Sequence, residues 1–295
     1  MNTGSSSTWR RFWAAVPYLW LLIFFLLPFV IILKISLADP LIAQPPYTPL
    51  LDADGKLNAT VDNFLFLLTD KLYAVTYLRS VLMAAAATLL CLLLGFPMAY
   101  GIARAPARAR GLLLLLIVLP FWISFLLRVY AWMGLLNNYG VINNVLMWLG
   151  LIDQPIPFMY TDFAVFVGLT YSYLPFMILP LYATLERMDL DLVDAAQDLG
   201  ASRSAAFWDI TWPLARPGVM AGSLLVFIPA MGEYVIPYLL GGPEALLIGR
   251  VLFDEFFVNL DWPLASAVAI MLLVLLVVPI VLLQRNQTRD MEAAS

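Results

Sequence analysis

Histidine is absent from all 295 residues, and cysteine occurs once, at Cys91 inside an apolar run. Without imidazole there is neither a histidine-bound zinc site nor a Ser–His–Asp triad. A lone thiol builds no disulfide framework. Lysine is nearly missing, at Lys34, Lys56 and Lys71 only. A phosphate-binding P-loop needs Gly-Lys-Ser/Thr. Lys56 alone follows a glycine, and Leu57 comes after it, so the chain cannot supply this form of ATPase. Charge of either sign is sparse at 12% of residues, about half the ~25% of a soluble domain. The net charge of −4 argues against a nucleic-acid partner. No nucleophile–base pair and no metal-ligand cluster stands out, which speaks against an intramembrane enzyme.

Apolar residues fill the space left, at 63% of the chain. The natural unit is then the bilayer span of about 20 residues. Uncharged runs occupy 12–33, 80–103, 111–127, 163–185, 217–232 and 262–284. The third and fifth stop early because each meets one ionisable residue, Arg128 and Glu233. Carried past these, the runs predict six spans near 13–37, 80–103, 111–136, 162–185, 217–240 and 262–284, in one membrane domain over 1–295. The long first run argues for a retained span, since the apolar core of a cleaved signal has about 7–15 residues.

An even number of spans puts both termini on one side. With the termini cytoplasmic, the inner segments hold Arg10, Arg11, Arg104, Arg108, Arg110, Arg187, Arg203, Arg216, Arg285 and Arg289. The outer segments hold only Lys56, Lys71, Arg79 and Arg250. Positive charge accumulates on the cytoplasmic side, so both termini are expected there. Residues 38–76 then form the first outer loop, in which "DADG" (52–55) reads as a plain turn. The second outer loop carries Val141, Ile142, Val145, Leu146 and Leu149 at helical spacing, as in a short amphipathic helix. The third, with Glu244, Asp254, Glu255 and Asp261 against Arg250, is acidic.

Residues 186–216 form a polar, cytoplasmic interruption between two membrane-length runs. "DLDLVDAAQDLG" places Leu190, Val193, Ala196 and Leu199 on one helical face and acids in its first turns, which favours a helix start. Gly200 suits a left-handed C-cap. Ser202 or Ser204 can cap a second short helix, "AAFWDITW", with Pro213 and Pro217 at its end and Pro217 opening the next span. Adjacent Ala195 and Ala196 allow close approach of another surface, so the segment is either a docking helix or a simple re-entry loop.

The spacing of "DAAQDLGASRSAAFWDITWP" resembles the Glu-Ala-Ala signature of ABC-importer permeases, matching at Asp194, Ala195, Ala196, Gly200, Ile210 and Pro213. Asp194 stands for Glu, and Trp212 for Leu. Further stretches, among them "SFLLRVYAWMG", "LVFIPAMGEYVIPYLLGGP" and "DWPLASAVAI", are similar to permeases of the bacterial polyamine ABC importers. The resemblance implies an all-α inner-membrane protein of six transmembrane helices with the type I ABC importer permease fold. It also implies a second homologous permease subunit, two ATPase subunits that bind the ATP and magnesium, and a periplasmic substrate-binding protein. No cofactor is implied on this chain. The 194–213 segment would be the helix that couples to the ATPase.

Ionisable groups inside the bilayer are costly and point to function. Glu233 and Arg128 fall at similar depth. Either they pair or bond backbone and hold the bundle, or Glu233 faces a cavity and meets a substrate amine. Tyr130, Trp132, Tyr171, Tyr173 and Tyr234 lie nearby in sequence, as interfacial anchors or as cation–π surfaces along a pathway. Pro120, Pro175, Pro180, Pro229 and Pro237 are candidate breaks, and Gly218 with Gly222 forms a small-residue face for helix contact. Putrescine-type polyamines suit carboxylates and aromatic faces. Spermidine, an opine or a metal ion remains open as the solute, and an ATP-independent channel or carrier is the reading from another class.

Overall fold

A computed structural model of the chain describes residues 13, 15–50, 56, 58–243 and 245–293. Arg10, Arg11, the 52–55 turn and Glu244 lie outside the described residues. Among the described residues the fold is helical, with one isolated antiparallel bridge, Pro40 to Tyr47. In chain order the helices are α1 (Ala15–Ser36), α2 (Asp62–Thr69), α3 (Lys71–Arg104), α4 (Ala107–Trp122), α5 (Phe125–Leu136) and α6 (Val141–Trp148). There follow α7 (Asp162–Glu186), α8 (Asp191–Asp198), α9 (Arg203–Met231), α10 (Val235–Leu240), α11 (Ile248–Phe253) and α12 (Trp262–Ala293).

Among the described residues α1, α3, α7 and α9 are each long and apolar enough to cross a membrane. The third expected span is a bent pair, α4 and Phe125–Trp148 meeting at 91°. The bend has a local cause. Pro120 lacks an N–H, the last turn of α4 tightens to a 3-10 turn at Leu119–Trp122, and Ile123 and Ser124 are extended. A new helix then starts, with the Arg128 N–H donating to Ser124 O at 3.1 Å. The sixth expected span lies in α12, whose described side chains form an apolar stretch over Trp262–Val278.

Two further boundaries differ from expectation. The helix of the fifth span starts at Arg203, not at Pro217, so the expected short helix over 205–212 runs on into the span without a break. A wide π turn over Phe207–Thr211, closed by the Trp212 N–H on Phe207 O, delivers Pro213 into the first turn of the segment that follows. Pro213 has no N–H to donate within the continuous helix, and the wider π turn before it accommodates that gap. The same arrangement stands in α1, where a π turn over Leu22–Leu26 precedes Pro28. Pro175, Pro180, Pro217 and Pro229 all sit within continuous helix. The true interruption of the fifth span is at Gly232 and Glu233, between α9 and α10.

By internal packing the chain forms two units, residues 1–74 with 251–295, and residues 75–250. In the first, α12 packs against α1 and α2. Asn63 Nδ2 ties α2 to the end of α1 by donating to Ser36 O at 3.1 Å and Ala38 O at 2.8 Å. Asp261 caps α12 by accepting the Leu264 N–H at 3.0 Å. Glu255 accepts from Tyr73 Oη and Asn259 Nδ2, each at 2.8 Å.

In the second unit α7 and α9 make the most extensive helix pair. Their contact runs along the expected small face. A Cβ on Gly218 would stand 2.6 Å from Thr184 Oγ1, and one on Gly222 2.8 Å from Met177 Sδ. With no side chain at either place, dispersion contacts replace a hydrophobic drive that lipid does not supply. Leu169, Met177, Ile178, Leu181, Met231, Ile236 and Leu240 fill the core around this seam.

Candidate functional site

The polar segment folds as its sequence suggests, with one extension. Asp189 Oδ1 accepts the Asp191 N–H at 3.1 Å at the start of α8. At the other end Gly200 takes φ +93°. Its N–H reaches Gln197 O at 2.9 Å, and the Ala201 N–H reaches Ala196 O at 3.0 Å. This pair of bonds is the Schellman closure that satisfies late helical carbonyls. Ser202 then caps α9 by accepting the Ala205 N–H at 3.2 Å. Asp194 and Ala195 are exposed, while Ala196, Ile210 and Pro213 are half-buried. Leu199 is 91% exposed, not packed on the face it shares with Val193, and Leu190, Leu192 and Trp208 are exposed too. A polar segment thus carries an apolar surface that its own chain leaves uncovered.

An aromatic group fastens this segment to the bundle. Phe96 of α3 lies 5.6 Å from Phe207 and 5.7 Å from Trp212, and Trp208 packs on both residues. Tyr100 stacks on Phe96 and carries the Arg104 guanidinium over its face. The sequence offered no distance between 96 and 207, so this link was not foreseen.

The intramembrane acid sits at the α9–α10 interruption and is buried. One carboxylate oxygen accepts the Val235 and Ile236 N–H groups at 3.0 and 3.4 Å, and so caps α10. The other accepts the Tyr173 hydroxyl of α7. Glu233 and Arg128 do not pair. Arg128 is 8% exposed and its Nε donates to none of the described residues. Its guanidinium lies instead over two rings, 5.3 Å from the centroid of Phe121 and 5.6 Å from that of Phe125. The expected alternative of a pair with Glu233 is not observed, and the charge of Arg128 is held on aromatic faces.

Rings join the two ends. Tyr173 lies 6.2 Å from Phe176, and Phe176 lies 5.2 Å from Phe121. Of the expected pathway residues, Tyr173 and Glu233 are joined here, and Trp132 packs edge-on to Tyr171 at 5.4 Å. Tyr234 packs on Tyr238 instead, and Tyr130 is exposed. Phe121, Phe125 and Phe176 were missed. Phe125 was within reach of spacing alone, being one helical turn before Arg128.

Comparison with known proteins agrees with this architecture. Residues 91–292 match the family described as binding-protein-dependent transport system inner membrane component. The chain is 45% identical over 221 residues to the spermidine/putrescine transport system permease protein PotB of Escherichia coli, covering 75% of this chain and 80% of that one. It is 38% identical over 275 residues to PotB of Haemophilus influenzae, covering 92% and 91%. Among solved structures it is similar, at TM-score 0.67 and 20% identity, to a bacterial alginate ABC transporter in complex with an alginate pentasaccharide-bound periplasmic protein, over 97% of this chain and 96% of that one. The fold is that of a type I ABC importer permease, a multi-pass protein of the inner membrane. The chain belongs to the family of inner membrane components of binding-protein-dependent transport systems.

Proposed function

We propose that this chain is one of two permease subunits of an ATP-driven importer of putrescine-type polyamines. It works with a homologous second permease, two cytoplasmic ATPase subunits that bind ATP and magnesium, and a periplasmic protein that delivers the solute. Both termini face the cytoplasm. The likeness to spermidine/putrescine permeases along 92% of the chain, at 38% identity, carries this reading.

Local features support the parts. The ion pairs Arg79–Asp162 at 2.7 Å and Arg110–Glu186 at 3.5 Å each join residues that the arginine bias assigns to one face. The uncovered apolar surface on α8, with small Ala195 and Ala196, suits a groove on an ATPase. Closure of the ATPase dimer would push α8, and the ring contacts at Phe96 would pass that push to α3. The buried Glu233 carboxylate, with the rings beside it, suits an ammonium group through ion pairing and cation–π attraction. The contacts need only be weak, because a transported cation must also leave.

The test is uptake of labelled putrescine into proteoliposomes holding the full complex, with binding protein and ATP. Uptake that requires ATP and the binding protein is the expected result. Uptake without either would favour an uncoupled channel or carrier, and no uptake would remove the solute assignment.

A further inference from the structure

One group in the intramembrane cluster has no task in the scheme above. Arg128 is permanently charged and carries five N–H donors. It is more than nine-tenths buried, it makes no ion pair with Glu233, and its Nε donates to none of the described residues. A cation kept in such a place is expensive, and a neutral side chain of similar length would pack there at less cost. Its position is also particular. It stands at the far end of a series that runs from Glu233 through Tyr173, Phe176 and Phe121 to the guanidinium itself.

We propose that Arg128 is a specificity-determining residue, a resident cation that limits how long and how highly charged a polyamine can pass this cluster. The proposal rests on the polyamine reading. An ammonium group drawn to Glu233 extends the rest of its solute along the aromatic faces toward Arg128. There it meets a like charge that already occupies the ring surfaces a second ammonium would use. The repulsion grows with the reach and the charge of the solute. A short diamine keeps its far end clear of the guanidinium, whereas a triamine brings a further charge toward it. The carboxylate attracts amines as a class, and the guanidinium ranks them by length.

The experiment compares putrescine and spermidine uptake by the complete complex in proteoliposomes, in wild type, Arg128→Gln and Arg128→Lys. Dividing each variant's spermidine-to-putrescine ratio by that of wild type cancels the preference of the shared binding protein. Arg128→Gln is expected to raise the ratio on the order of tenfold, the size of one unit charge removed at near-molecular distance. Arg128→Lys keeps the charge and is expected to stay near wild type. An unmoved ratio in Arg128→Gln overturns the proposal, since a merely structural arginine would lower both uptakes together. If that variant does not assemble, Phe121→Leu with Phe125→Leu frees the guanidinium from its rings, and an unmoved ratio there overturns it equally. A wild-type complex that takes up neither amine overturns the polyamine reading and this proposal with it. Wild-type uptake with unmoved ratios overturns the assignment to Arg128 alone.

Discussion

Glu233 holds two jobs at once, as the cap of α10 and as the acceptor of the Tyr173 hydroxyl. Substitutions can separate them. Tyr173→Phe leaves a buried carboxylate oxygen without its donor but keeps both backbone bonds. It should lower the melting temperature of the purified complex by an amount corresponding to about 1–3 kcal/mol. Glu233→Gln keeps the shape and a carbonyl oxygen for the cap but removes the charge. It should lower polyamine uptake with assembly intact, and unchanged uptake would take Glu233 out of the pathway. Some of this was readable from the sequence. A lone acid in an apolar run stands out by cost, and Gly200 and Ser202 announce their caps through residue type. The partners of the acid were not readable. Residues 128 and 233 share a depth, but depth fixes only one coordinate of three, so an ion pair between them was open until the rings around Arg128 were seen.

At the scale of helices, the apolar runs located the elements well and the interruptions poorly. Proline suggested breaks at Pro120, Pro175, Pro180, Pro229 and Pro237. Yet a helix in hydrocarbon gains little by stopping, because exposed backbone there finds no water. Pro175, Pro180 and Pro229 accordingly lie inside continuous helix, and π turns precede Pro28 and Pro213. Pro120, where the chain turns by 91°, behaves as expected, and Pro237 lies in the first turn of α10 just after the interruption at Gly232 and Glu233. The seam between α7 and α9 was legible through its glycines and carries a firm prediction. Gly222→Val would drive a side chain into Met177. Overpacking of this kind costs about 1–3 kcal/mol, and should appear as a lower melting temperature with a smaller yield of assembled complex. A melting curve like that of wild type would show that the seam can relax.

For the molecule as a whole, sidedness decides how the parts work. The single native thiol, Cys91, is buried, so introduced cysteines can be labelled against a quiet background. Leu199→Cys should react with a membrane-impermeant maleimide only in inside-out vesicles, and Asn144→Cys only in right-side-out cells. The opposite pattern would invert the topology and remove α8 from reach of any ATPase. Ala196→Arg tests the docking itself, since a long cation on the small face would hold a partner away. Loss of ATPase co-purification and of ATP-dependent uptake is expected, and normal values of both would exclude docking through this face.

The first helix has a consequence for how the protein is made. No side chain in the apolar window of α1 is fully buried by the rest of the chain, whereas up to 61% of the corresponding window is buried in the other long helices. A segment that buries so little against its neighbours has little need to wait for them. It can slip from the translocon into lipid while later residues are still on the ribosome. A nascent chain stalled after Leu68 should therefore already resist extraction by alkaline carbonate.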